Sequence, residues 1–137
     1  CVATSFALMN AGVTPILADI NTNDFLLNIA DVEKNIGTHT KAIMPIHLWG
    51  NAENMDAITV LAKKNNLHLI EDSCLALGAE YNGKRTGSFG IASAFSFGCL
   101  KPVQAGEGGM ITTNDKALYY ELLMLRNWGE TTSVLGY

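Results

Sequence analysis

The chain has no run of lysine or arginine: 9 basic residues are scattered among 13 acidic ones, for a net charge of −4. That balance argues against a nucleic-acid partner. No apolar stretch approaches the roughly 20 residues that cross a membrane, and nothing at its start reads as a signal peptide. A cytoplasmic setting is therefore expected. The three cysteines, Cys1, Cys74 and Cys99, are an odd number without C-x-x-C spacing. A disulfide framework fits such a pattern poorly, and reduced thiols fit it better. His39 and His68 share no metal-ligand spacing with them, so no metal is expected. Repeats and low-complexity tracts are also missing, which excludes a solenoid. No strand is followed by a dinucleotide glycine fingerprint, which disfavours a nicotinamide-binding oxidoreductase.

What remains is an ordinary globular composition. A length of 137 residues with 48% apolar and 16% charged content suffices for one compact core. The chain opens on Cys1-Val2-Ala3-Thr4, without Met, and stops at Leu135-Gly136-Tyr137 just after a helical segment. It is expected to be a piece of a longer protein.

The pattern alternates helices with short strands. Residues 3–11 read as a helix stopped by Gly12, and residues 31–36 as a brief helix ended by Gly37. Strands are predicted at residues 14–19, with Pro15 near the start, and at residues 41–46, nearly continuous in apolar character. Over residues 53–66, Met55, Ile58, Leu61 and Ala62 share one helical stripe, with Asp56, Lys63 and Lys64 facing away. Further strands are predicted at 67–71, 91–97 and 110–113, with a hairpin turn at Asn82-Gly83. Asn114 or Asp115 caps a last helix on which Leu118, Leu122 and Leu125 share a face. The alternation predicts an α/β layer architecture with a mostly parallel sheet. Two close strands around Lys101 predict that it is not parallel throughout.

Lys101 is the residue that stands out. Phe95-Ser96-Phe97 precedes it and Gly106-Glu107-Gly108-Gly109 follows it. An ammonium in an apolar, glycine-flanked setting is costly unless it is paired or loses its proton. A lysine that gives up its proton suits Schiff-base chemistry. Upstream, Leu67-His68-Leu69-Ile70-Glu71-Asp72 reads as a buried strand ending in two carboxylates. A strand-end acid and a loop lysine are the two protein groups that a pyridoxal 5'-phosphate (PLP) ring requires. Asp72 as a mere turn cap, and Ser96 bonded only to backbone, are the plainer alternatives.

Five blocks in one order make the pattern familiar: Pro45-Ile46-His47-Leu48-Trp49-Gly50, Ile70-Glu71-Asp72-Ser73-Cys74, residues 82–90 from Asn82-Gly83 to Phe89-Gly90, Phe95-Ser96-Phe97 through Lys101, and residues 106–115 beginning Gly106-Glu107-Gly108-Gly109. Together they resemble the DegT/DnrJ/StrS family of PLP-dependent nucleotide-sugar aminotransferases, of the aspartate-aminotransferase fold (fold type I). The resemblance implies that Lys101 holds the cofactor covalently, that Asp72 contacts the pyridine nitrogen and that Ser96 lies near the phosphate. It implies an amino-acid donor such as glutamate, a nucleotide-linked keto-sugar acceptor and a homodimer. Residues 1–137 would be the middle of the PLP-binding large domain, with a phosphate loop upstream and a small domain beyond Tyr137.

The chain departs from the family's usual pattern at Leu75, where Gln or His is common, and at Gly98, where His or Tyr is common. Cys1 stands where an aromatic often stacks on the ring. A sugar dehydratase on the same scaffold, or a regulatory homologue that has lost turnover, are the competing readings; retention of Lys101 counts against the dehydratase. His47 either faces the pocket or is a satisfied core histidine. Arg126 and Trp128 suit anion or ring contact, although a helix-end arginine also stabilises the helix dipole.

Overall fold

A computed structural model describes residues 2–130. Among these residues the elements run α1 (Ala3–Asn10), α2 (Ile29–Asn35), β1 (Ala42–Ile43), a 3-10 turn (Leu48–Gly50), α3 (Met55–Lys64), β2 (His68–Asp72), β3 (Glu80–Tyr81), β4 (Lys84–Arg85), β5 (Ala92–Ser96), β6 (Gly109–Thr112) and α4 (Lys116–Arg126). The main sheet has the order β1-β2-β5-β6. β1–β2 and β2–β5 are parallel, and β5–β6 is antiparallel. The mixed, mostly parallel α/β sheet anticipated from the sequence is therefore present.

The core lies between the helices and the first two strands. The predicted stripe of α3 is realised: Met55, Ile58, Leu61 and Ala62 are buried with Val32 of α2, Ile43 of β1 and Leu69 of β2. Each such aliphatic side chain removed from water contributes about 1.5–3 kcal/mol. Asn54 caps α3 by accepting from the Ala57 amide at 3.1 Å, and Lys63 and Lys64 sit at the negative end of its dipole. The β1–α3–β2 connection is the helical crossover that parallel strands need.

Asn82 and Gly83, at φ 50° and 76°, turn β3 into β4 as expected of Asn-Gly. Asp115, not Asn114, caps α4, accepting from the Ala117 and Leu118 amides. On α4 the expected shared face is only partial, because Leu118 and Leu122 are half-buried while Leu125 is exposed.

Two expectations need correction. No strand forms at residues 14–19: Ile16 and Leu17 are 67% and 79% exposed, and the segment's nearest ladder contact is the antiparallel bridge Ile20–Leu27. Pro15 has no N–H to give, and no described neighbour offers this segment a ladder. The strand expected at 41–46 is also interrupted. It pairs at Ala42–Ile43 and resumes only at the Ile46–Asp72 bridge, because Pro45 contributes a carbonyl alone. That carbonyl accepts from the Asp72 amide at 2.9 Å.

Candidate active site

β2 ends in two adjacent acids, and strand alternation sends them to opposite faces. Glu71 turns inward. Its carboxylate accepts from the Gly87, Phe89 and Gly90 amides at 2.7, 2.7 and 2.8 Å and meets His47 Nε2 at 3.0 Å. His47 Nδ1 accepts from the Glu53 amide at 3.1 Å, so the ring proton sits on Nε2 and is donated to Glu71. Burial opposes the charge on Glu71, but His47 and the Gly90, Gly87 and Phe89 amides overcome it and hold its pKa below the ordinary value. His47 is thus the satisfied core histidine of the two alternatives, fully buried and remote from solvent.

Glu53, three residues after the 3-10 turn ends at Gly50, is not singled out by the sequence. Burial pushes its pKa up to about 7, against the lowering effects of the Leu27 amide and His47. A lone acid in a polar loop carries no local signal of its burial.

Asp72 faces the other way. Its Oδ2 accepts from Thr4 Oγ1 at 2.7 Å and its Oδ1 from the Cys74 amide at 3.1 Å. Its backbone is pinned on both sides, by the Pro45 carbonyl and by the His47 amide, which donates to the Asp72 carbonyl at 3.0 Å. A partly buried carboxylate that takes the Thr4 hydroxyl on one oxygen and the Cys74 amide on the other, with the Cys74 thiol beside it, still keeps lone-pair capacity for another partner.

Lys101 lies in the loop that follows β5, the parallel neighbour of β2, so it emerges at the same carboxyl edge of the sheet as Asp72. That edge is where open α/β sheets bind ligands. The loop closes on itself: the Ala105 amide donates to the Phe97 carbonyl, and the Phe97 amide to the Gly108 carbonyl, each at 2.8 Å. Cys74 lies two residues beyond Asp72 at this edge. Its thiol pKa is raised to about 11 by burial, by a hydrogen bond with Asp72 and by the Asp72 charge, while the Lys101 charge pulls it down. One thiol therefore senses both groups.

Ser96 ends β5, and its Oγ accepts a long 3.4 Å bond from the Gly98 amide. The hydroxyl proton has no acceptor among the described residues. Gly98 acts here through its backbone, which also accepts from the Lys101 amide at 3.0 Å, and Leu75 is partly buried. Arg126 and Trp128 are not brought into this cluster by any hydrogen bond or ion pair; Arg126 sits in the last turn of α4 and Trp128 is 94% exposed. Cys1 lies outside the described residues. Thr4 and Cys74 are the members that sequence reasoning missed, since Thr4 is 68 positions from its partner. Among the described residues no His, Cys, Asp and Glu cluster could hold a metal ion, and no helix is long and apolar enough to cross a membrane.

The mixed, mostly parallel sheet is part of a fold type I aminotransferase scaffold, as the relatives show. Residues 1–135 match the DegT/DnrJ/EryC1/StrS aminotransferase family. The chain is 42% identical over 128 residues to GDP-perosamine synthase of Escherichia coli O157:H7, covering 93% of this chain and 35% of that protein. Helicobacter pylori PseC, an aminotransferase involved in the biosynthesis of pseudoaminic acid, superimposes with a TM-score of 0.87 at 38% identity, covering 91% of this chain and 33% of that one. A GDP-4-keto-6-deoxymannose-3-dehydratase with a trapped PLP-glutamate geminal diamine gives a TM-score of 0.88 at 33% identity, covering 95% and 34%. The chain belongs to the DegT/DnrJ/EryC1/StrS aminotransferase family. It spans about a third of the length of the relatives it matches.

Proposed function

We propose that this chain is the central part of the large domain of a PLP-dependent aminotransferase, which moves an amino group from an amino acid, glutamate by preference, to the keto group of a nucleotide-activated sugar. The observation that supports the reading is topological: Asp72 ends β2 and the Lys101 loop follows β5, its parallel neighbour, so both emerge at the same carboxyl edge of the sheet. A homodimer and a cytoplasmic location belong to the same reading, on the family resemblance.

The residues present suit the cofactor. Asp72, a carboxylate with lone pairs left over, answers a pyridinium N–H; Lys101 answers an aldehyde carbon; the uncommitted Ser96 hydroxyl answers a phosphate oxygen. When bound, PLP supplies an electron-withdrawing ring that stabilises negative charge on the carbon next to the transferred nitrogen. Asp72 would keep the ring nitrogen protonated, which sustains that withdrawal. Lys101 Nζ would anchor the cofactor and, once displaced by the donor amine, take the proton from the donor's α-carbon. In the second half it would return a proton to the sugar carbon that receives the amine. Glu71 and His47 serve the fold by holding the end of β2 from beneath.

The test uses the complete protein loaded with PLP. Borohydride reduction followed by peptide mass spectrometry is expected to place one phosphopyridoxyl group on Lys101. Glutamate and a nucleotide-linked keto-sugar should then yield 2-oxoglutarate and amino-sugar in equal amounts. Label on another lysine, or none, sinks the assignment. The dehydratase likeness favours a second reading, loss of water from the sugar on the same scaffold. Deoxygenated sugar with no net amino transfer would establish it instead. Leu75 and Gly98 motivate a third, a PLP-binding regulatory protein, which would load the cofactor and turn over neither.

A further inference from the structure

We infer that Thr4 is a positioning residue for Asp72: its hydroxyl fixes the carboxylate in the orientation from which the acid meets the cofactor ring. The inference rests on the aminotransferase reading and deepens it.

The geometry is specific. Thr4 Oγ1 donates to Asp72 Oδ2 at 2.7 Å, a short charge-assisted bond between groups 68 residues apart. The other oxygen, Oδ1, is held by the Cys74 amide two residues on. An Asp side chain has two torsions, and donors from Cys74 alone, two residues on, fix the carboxylate plane only loosely. The Thr4 donor removes that freedom because it grips the second oxygen from a different element. Pre-orienting a carboxylate in this way lowers the cost of pairing it with a ring N–H.

A purely structural role for Thr4 is the poorer account. Nothing in α1 is buried, and Phe6 and Met9 are 57% and 56% exposed. Among the described residues, Thr4–Asp72 is the side-chain hydrogen bond that joins α1 to the sheet. A helix seeking anchorage has apolar means available and does not use them here. The bond instead ends on the strand-end acid at the carboxyl edge from which the lysine loop also emerges.

The experiment compares Thr4→Val, which keeps the shape and loses the donor, with Thr4→Ser, which keeps the donor, in the complete protein. Two readouts report on the acid: the dissociation constant for PLP from titration of apoprotein, and the circular dichroism of the bound cofactor's visible band, which follows ring orientation. Thr4→Val is expected to weaken PLP binding about tenfold, the order for one hydrogen bond to a charged group. It should also diminish the dichroic band, and Thr4→Ser should restore both to within about twofold. In an Asp72→Ala background Thr4→Val should change the affinity by less than about twofold, because its partner is gone. An equal loss in both backgrounds, or Thr4→Ser as impaired as Thr4→Val, overturns the inference. So does Thr4→Val with unchanged affinity and band. Thr4→Ala replaces Thr4→Val in the cycle if the valine variant does not fold. Wild-type protein that takes up no PLP overturns the parent reading, a result separable from wild type that loads normally beside an unaffected Thr4→Val.

Discussion

Glu71 and His47 meet at 3.0 Å with neither side chain exposed to solvent, and the histidine passes the connection on to the Glu53 amide. The Glu71 carboxylate accepts four hydrogen bonds, two on each oxygen. Glutamine at this position would turn an NH₂ toward amide N–H donors. Glu71→Gln should therefore cost about 2–5 kcal/mol of stability, read as a lowered denaturation midpoint with an unchanged slope. Wild-type stability in that variant would mean that the four-fold grip contributes little.

Glu53 gives the protein an opposite dependence on pH. Its folded pKa of about 7 lies above the ordinary 4.5, so between those values the native state holds a proton that the unfolded chain has lost. Stability from this group is fully present below pH 4.5 and falls as pH rises through about 7. Glu71, with its pKa depressed, contributes stability that is lost as pH falls below the ordinary carboxylate range. Glu53→Gln should flatten the decline between pH 4.5 and 7, measured as the difference in melting temperature from wild type across that range. A parallel decline in both proteins would show that the burial of Glu53 is not the source.

Cys74 offers a cofactor-independent probe of the site. With its pKa at about 11 it is a protonated, sluggish thiol at neutral pH. Iodoacetamide should modify exposed Cys99 well before Cys74, as followed by peptide mass spectrometry. Replacing Asp72 with Asn should speed alkylation of Cys74 several-fold, and replacing Lys101 with Ala should slow it, following the two charges' opposite effects on the thiol. Indifference of Cys74 to Lys101→Ala would place the amine elsewhere.

Glycines should differ sharply in tolerance. At Gly90 a Cβ would collide with the Leu69 carbonyl, and the next residue's amide already bonds that same oxygen at 2.8 Å. The backbone cannot retreat without breaking the β2–β5 seam, so Gly90→Ala should prevent soluble expression. At Gly83 nothing lies within 4 Å, and only the φ of 76° resists a side chain. Gly83→Ala should cost about 1 kcal/mol. Equal yields and midpoints for the two variants would contradict the close contact at Gly90.

Local chemistry made much of this legible in the sequence. The stripe of α3, the Asn82-Gly83 turn and the strand ending in Asp72 all depend on spacing within a few residues, which a sequence displays directly. Lys101 stood out because its flanking glycines and apolar strands are contiguous with it. What was hidden depends on partners far along the chain. Residues 14–19 have strand-like composition but lack a ladder neighbour, and composition cannot supply one. Thr4 reads as an ordinary helical residue until Asp72 is folded against it. His47 could not be assigned to core or pocket, because its surroundings come from Glu53 and Glu71 on separate segments.

The loop bearing Lys101 is cinched at its root, where Phe97 bonds both Ala105 and Gly108. Such a stirrup joins the two ends of the loop, and the Lys101 amide is itself tied to the Gly98 carbonyl at 3.0 Å. Under the proposed function, an amine that lets go of one partner and regrasps it each cycle would do so from a loop already tied at its base.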